Sequence, residues 1–357
     1  MDKRRNVTSR ADRRRFVRTL AVGTAAITAA PFIARTARAQ SGQRIVMPSY
    51  GGSYQDILVG ALTEPFTKET GIEVVFSGVP DLARLKAQVM TGRPEWDVFE
   101  AGGSWFPAGS QQGLFEPLDK GLIKDSDLVL GAKGDYSPFY RWVGVVAHNT
   151  TRHKDGKVPR DFTQFWDTKA FPGPRTLRNR ADYVLEIALV ADGVDPKKLY
   201  PLDVDRAFKS LARIKPAITK WAESTSQLVT LLVTGEVDYG FNYNNRIKAA
   251  QASGSPVDLS LNQAFIGNEY VGVVKGTQRR DAAMKFVAFT LRPDRQADLA
   301  NRLSFLPGNQ RAMAQMTPEA KKWLPDLNQP NHIWQDDEWW ATRTEEVQKK
   351  FQEFLLS

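Results

Sequence analysis

The stretch RIVMPSYGGSYQDILVGALTEPFTKETGIEVVFSGVPDLARLKAQVMTGRPEWDVFE, residues 44–100, decides the fold class. Residues 44–49 read as a strand, broken by Gly51-Gly52-Ser53. Residues 54–70 follow with Ile57, Leu58, Ala61, Leu62, Pro65 and Phe66 at helical spacing, and Gly71 ends them as a C-cap glycine. Residues 72–77 (IEVVFS) predict a second strand. Asp81 caps a helix over 82–91, and 96–100 (WDVFE) is a third strand. A β-α-β-α-β order argues for an α/β chain with an open sheet and crossover helices.

The pattern continues downstream. Residues 141–147 (RWVGVVA) are another extended run, 161–171 are aromatic-rich, and 181–191 (ADYVLEIALVA) predict a strong helix. Further helices are expected over 203–214, 226–235 and 245–253, with strands over 237–242 (VDYGFN) and 270–274 (YVGVV). One helix is expected over 280–303, and a long helical pattern rich in Trp and charge over 336–355. No repeat recurs at a period of ~20–50 residues, which excludes solenoids and propellers.

The 357 residues suggest roughly two domains. Zero cysteines exclude disulfides, thiolate metal sites and cysteine nucleophiles. His148, His153 and His332 are wrongly spaced for a metal cluster, so no metal or cofactor is expected. The formal charge of +9 would invite a nucleic-acid reading, but its position argues otherwise. Ten Lys and Arg against Asp2 and Asp12 within residues 1–39 carry eight of the nine charges. There Arg13-Arg14-Arg15-Phe16-Val17-Arg18 precedes an uncharged run over 19–33 and the site Ala37-Arg38-Ala39. A basic segment, a modest apolar run and an Ala-x-Ala site predict an export signal cut after Ala39. Its arginine cluster resembles the twin-arginine type, implying the twin-arginine translocase as a partner and the periplasm as destination. What remains is nearly neutral, so no nucleic-acid partner is expected.

Catalytic signatures are missing: there is no phosphate-loop, G-x-S-x-G, H-E-x-x-H or EF-hand pattern. Gly51-Gly52-Ser53 is open to two readings, a tight strand-to-helix turn or a loop contacting a ligand.

Several segments together resemble one family. These are Ser49-Tyr50-Gly51-Gly52-Ser53-Tyr54, Glu64-Pro65-Phe66-Thr67-Lys68-Glu69-Thr70-Gly71-Ile72, Trp96-Asp97-Val98 and Gly113-Leu114-Phe115-Glu116-Pro117-Leu118-Asp119. Phe165-Trp166-Asp167, Phe171-Pro172-Gly173, Gly235-Glu236-Val237-Asp238 and Ala283-Met284-Lys285-Phe286 follow in order. Over about 44–314 the chain resembles the extracellular solute-binding proteins of ABC importers, in the spermidine/putrescine-binding branch. The resemblance implies a two-lobed periplasmic binding protein fold of type II, with two mixed sheets, crossover strands and a ligand cleft between the lobes. Lobe 1 would span 43–147 and 270–308, lobe 2 would span 148–269, and C-terminal helices over 309–357 would pack on lobe 2. A membrane permease is the implied partner, a monomer the implied state, and an enzyme is not expected.

A polyamine site needs carboxylates for its ammonium ends and aromatic faces along its methylenes. The resemblance puts Tyr50, Ser53, Tyr54 and Trp105 on cleft loops, with Trp221, Phe241, Tyr243 and Tyr270 as further aromatics. Where the family carries two amine-gripping acids, this chain has Arg180 and Tyr183, and the first-loop acid falls at Gly52. Glu269 keeps an acid in place, while Asp182 or Glu223 could substitute for the lost ones. Three readings follow: a polyamine (putrescine, spermidine) receptor, as the branch implies; a receptor for an ω-amino acid or small carboxylate clamped by Arg180; or a secreted enzyme on this scaffold. Arg180 could equally be a helix-start charge salt-bridged to Asp182.

Overall fold

Strands β1 (Arg44–Met47) and β2 (Glu73–Phe76) form a parallel pair, in register from Arg44↔Glu73 to Met47↔Phe76. The computed structural model describes residues 43–357; the expected export signal over 1–39 lies outside the described residues. The other strands are β3 (Val98–Gly102), β4 (Tyr136–Asn149), β5 (Arg175–Arg178), β6 (Ile218–Ala222), β7 (Tyr239–Tyr243), β8 (Val257–Val273), β9 (Leu306–Pro307) and β10 (Ile333–Trp334). They build an eight-stranded sheet in the order β10-β8-β4-β7-β5-β6, with β3 added on β8 and β9 on β4. Around it lie helices that follow strands in sequence, as the alternating pattern predicts.

Two long strands hold the molecule together. β4 and β8 run antiparallel from Tyr136↔Gly272 to Asn149↔Val257, with irregularities between Pro138 and Tyr140 and between Gly144 and Val146. Such bulges bend a strand and increase its local twist. Toward one end of the pair, Phe139, Tyr140, Val271 and Val273 join a core built on Ile45, Phe66, Phe286 and Phe289. At the other end, Val146, Val257 and Phe265 join a separate core of Phe162, Leu177, Leu211, Tyr239 and Phe241. Trp340, Val347 and Phe351 of the C-terminal helices pack into this second core.

The structure corrects several local expectations. The helix over 54–70 starts at Gly52 and contains a π-helical turn, Val59–Thr63, before Glu64–Thr70. Pro65 has no N–H and crowds the carbonyl four residues back, and a π turn absorbs that misfit. Gly71 caps it in the left-handed conformation, φ 73°. The helix over 280–303 is two, Arg280–Thr290 and Pro293–Leu303, because a residue before proline (Arg292, ψ 142°) leaves the helical region. The pattern over 336–355 likewise divides into Asp337–Ala341 and Thr344–Leu356. β5 and β6 were not expected, since RTLR and ITKWA carry charge where buried strands are usually apolar. Arg175 is nonetheless buried, its Nε donating to the Phe165 carbonyl at 2.9 Å and its other nitrogens to the Phe171 and Gly173 carbonyls.

Candidate functional site

The parallel strands β5, β6 and β7 each lead into a helix at one edge of the sheet: Val184–Ala191, Thr225–Thr234 and Asn244–Ala252. Ligands of open α/β sheets collect at that edge, outside the carboxyl ends of the strands. A cavity of about 270 Å³ lies here, lined by Tyr183, Thr225, Asn245 and Arg246 from the first residues of these helices or just before them. Its size approaches the ~300–1,000 Å³ usual for small-molecule sites. The facing side comes from the loop and helix start after β1 (Tyr50, Ser53, Tyr54) and from the end of β3 and the residues after it (Gly102, Gly103, Trp105). Tyr140 and Trp142 of β4 and Glu269 of β8 join the two sides.

One side favours anions. Helix N-termini carry unsatisfied N–H groups and about half a positive charge each, and three begin here. Arg246 lies in the first turn of its helix, and no Asp or Glu forms an ion pair with it among the described residues; burial presses its pKa down, Tyr243 opposes this and Arg178 adds to it. Arg180 also lines the cavity, but its guanidinium forks onto Asp182, Nε–Oδ1 2.8 Å and Nη2–Oδ2 2.6 Å. That pair, together with the Tyr183 ring 5.7 Å from the guanidinium, leaves Arg180 less free to serve a ligand than Arg246.

The other side favours cations. Glu269 is 5% exposed, accepts from Tyr50 Oη at 3.0 Å, and leans across Gly102. A Cβ on Gly102 would lie 2.8 Å from Glu269 Oε2, so the glycine makes room for this carboxylate. Burial first, and the nearby Glu100 second, raise its pKa well above the usual carboxylate range. Trp105, Tyr54, Trp142, Tyr183 and Tyr243 give the cavity aromatic walls between these poles.

Tyr183 occupies a strained position, φ 55°, at the start of its helix. A bulky residue in the left-handed region is a genuine outlier. Its ring stacks on Phe241 at 5.3 Å and meets Trp142 edge-on at 5.6 Å, and this packing holds the conformation. Tyr183 therefore serves as a wall, and it delays the helix expected from 181 until Val184.

Eight of the eleven residues expected at the site line the cavity: Tyr50, Ser53, Tyr54, Trp105, Arg180, Tyr183, Tyr243 and Glu269. Three do not. Phe241 is buried behind Tyr183 in the core. Strand alternation turns Tyr270 away from Glu269, into a cluster with Phe106 and Tyr136, where its hydroxyl donates to Asp337 at 2.7 Å. Glu223 is exposed and accepts from Asn179 Nδ2 at 2.7 Å. Trp221 packs edge-on to Phe351, 5.5 Å away, and is also not a cavity residue. Sequence reasoning missed Arg246, Trp142 and Tyr140. The helix over 245–253 was legible, and its position directly after a strand was the signal that could have found Arg246.

The sequence profile of bacterial extracellular solute-binding proteins matches residues 61–326. The Gamma-aminobutyric acid-binding protein of Pseudomonas aeruginosa is 33% identical over 330 residues, covering 89% of this chain and 92% of that protein. The Spermidine/putrescine-binding periplasmic protein of Escherichia coli is 22% identical, covering 81% and 86%. The solved structure of the Atu4243–GABA receptor superposes with a TM-score of 0.81 at 33% identity, covering 88% of this chain and 98% of that one. With its mixed α/β architecture of the type II periplasmic binding proteins, the chain belongs to the family of bacterial extracellular solute-binding proteins, of the ABC-importer type.

Proposed function

We propose that this protein is the periplasmic receptor of an ABC importer for a small ω-amino acid of the γ-aminobutyrate kind. One observation carries the reading: the cavity is bipolar, with Arg246 in no ion pair among the described residues on one side and Glu269 buried on the other, and the two form no ion pair with each other. A zwitterion with separated charges satisfies both ends, its carboxylate on Arg246 and the three helix N-termini, its ammonium on Glu269. Trp105, Trp142 and Tyr183 would enclose the methylenes between.

A polyamine, cationic at both ends, would face Arg246 and Arg180 with no carboxylate on that side beyond the one Arg180 already engages. The relatives lean the same way, the γ-aminobutyrate-binding protein being 33% identical and the polyamine-binding protein 22%. In this reading, lobe 1 (43–147 and 270–308) and lobe 2 (148–269, with 309–357 packed on it) close over the solute about β4 and β8. Closure would present both lobes to the inner-membrane permease, a ligand-driven population shift rather than catalysis. Export through the twin-arginine route and action as a monomer complete the reading.

Calorimetry of residues 40–357 against γ-aminobutyrate, putrescine and spermidine tests it. The expected result is γ-aminobutyrate binding at micromolar Kd or tighter, about −8 kcal/mol, weakened at least about tenfold in Arg246→Ala and in Glu269→Gln. Polyamine binding that survives Arg246→Ala, with no heat from γ-aminobutyrate, would overturn the reading in favour of the polyamine branch. Turnover of an ester, phosphate or amide at enzyme-like rates would replace both.

A further inference from the structure

Glu100, in the segment Trp96-Asp97-Val98-Phe99-Glu100, occupies a strand position where an apolar residue is expected. In the β3/β8 register, Gly102 lies opposite Glu269 and Glu100 opposite Val271. Glu100 and Glu269 are therefore diagonal neighbours on one face of the sheet, a spacing of ~7–8 Å or less at the backbone. Glu269 reaches the ligand cavity, whereas Glu100 is sealed beneath Tyr54 and is 1% exposed.

The surroundings of this pair can be named element by element. Tyr54 of the first helix donates to Glu100 Oε1, and Tyr140 of β4 donates to the same oxygen at 3.2 Å. The two tyrosine hydroxyls are 2.8 Å apart. Tyr50, in the loop after β1, donates to Glu269. Arg180 acts on Glu269 only from a distance, being forked onto Asp182, and Asp337 of the helix Asp337–Ala341 adds negative charge. Among the described residues no Lys or Arg forms an ion pair with either glutamate. Glu100 Oε2 is buried without a partner among the described residues, and the residue borders a void of about 10 Å³ whose lining is mostly apolar, with Met47, Leu58, Phe139 and Phe286, but includes Thr63 and Thr290. A void that small holds at most one water.

Two neighbouring buried carboxylates without a counter-cation cannot both stay ionised cheaply. We propose that Glu100 is a positioning and specificity residue for the cavity: with Glu269 it retains a proton in the ligand-free protein at neutral pH, and an ammonium group docking on Glu269 expels that proton. The inference rests on the amine-binding reading of Glu269 given above. Burial raising Glu100 to about 7, and Glu269 well above its usual range, agrees with the geometry. The step balances. A carboxyl O–H breaks, the proton leaves through the cavity to solvent, and the ligand's N–H groups take its place on the freed carboxylate. Local charge is conserved, so the pair admits one ammonium in exchange for one proton; a neutral ligand leaves the proton in place and gains no charge-assisted contact from the pair.

Infrared spectroscopy of the ligand-free protein and calorimetry with γ-aminobutyrate at pH 6.5 in two buffers of different ionisation enthalpy test this. The ligand-free protein should show a protonated-carboxyl stretch at neutral pH that is diminished in Glu100→Gln and restored in Glu100→Asp. Binding should release close to one proton per γ-aminobutyrate, and affinity should fall toward tenfold per pH unit below neutrality. Glu100→Gln should release clearly less and flatten the pH profile, effects that a merely structural role for Glu100 would not produce. A wild-type protein without the carboxyl band, or binding heat independent of buffer, overturns the proposal without any variant. If γ-aminobutyrate gives no heat at all, the functional reading falls, and the part of the infrared band lost in Glu100→Gln decides the shared proton.

Discussion

Arg180 grips Asp182, two residues along the chain, with both prongs of its guanidinium, at 2.8 and 2.6 Å. A bidentate fork is the strongest form of this contact, and its second partner must displace the first. Arg180 is thus present at the cavity with its charge largely answered. Arg246, three residues after Tyr243 at the end of β7, has no such partner among the described residues.

The two arginines should consequently differ in mutation. A hydrogen bond to a charged group contributes ~1.5–3 kcal/mol, so Arg246→Ala should weaken γ-aminobutyrate binding by about 10–150-fold. Arg180→Ala, which also strands Asp182 beside the cavity, should weaken it by less than about tenfold through a local change of field. Calorimetric Kd values at low and at 0.15 M salt check this. A larger loss for Arg180 than for Arg246 would reverse the assignment of the carboxylate end.

Trp142 lies across Gly267, and a Cβ at that glycine would sit well inside van der Waals contact of the indole Cζ2. Gly267 has ordinary backbone angles, so its requirement is space alone. The indole it accommodates stacks on Phe265 at 5.5 Å and walls the cavity. Gly267→Ala should therefore push the ring toward the ligand, costing ~1–3 kcal/mol of stability as overpacking does, together with ligand affinity. In a Trp142→Ala background the added methyl meets empty space, and the same substitution should become nearly neutral. Urea unfolding of the four proteins in a double-mutant cycle measures the coupling; additivity would show that the indole is not what the glycine admits.

Much of this site was legible because the α/β alternation is carried by local signals. Gly71 and Asp81 end and start helices by backbone chemistry that survives in any context. The loops after the first and third strands could be assigned to the cleft, and Tyr50, Tyr54 and Trp105 came with them. What was illegible depended on long-range pairing. β5 can be buried because Arg175 finds carbonyls at Phe165, Phe171 and Gly173, contacts invisible in RTLR, and β6 pairs alongside it. Tyr270 and Glu269 are adjacent in sequence, yet pleating sends only the glutamate to the cavity. Glu100 was hidden for the same reason: its importance depends on the register of β3 against β8.

A third buried carboxyl gives a pH dependence to stability that does not involve the ligand. Glu186, in the helix Val184–Ala191, accepts from Tyr200 Oη at 2.6 Å and Trp340 Nε1 at 2.7 Å, tying the C-terminal region to the core. Burial, opposed by those two donors, raises its pKa from 4.5 to about 7. Between these values the folded state binds more protons than the unfolded state, so stability falls as pH rises from about 4.5 to 7. Below 4.5 both states are protonated, and above 7 the loss is complete. Glu100 and Asp337, each likewise raised to about 7 by burial, act with the same sign. Ligand-free protein should therefore melt highest near pH 5 and lower at pH 8. Glu186→Gln keeps an acceptor for both donors but cannot ionise, and should recover on the order of 1–3 kcal/mol of the alkaline loss, or several degrees in Tm. Scanning calorimetry of both proteins at pH 5 and pH 8 decides it: equal slopes in the two would mean that Glu186 is ionised throughout and that Tyr200 and Trp340 suffice to hold its charge.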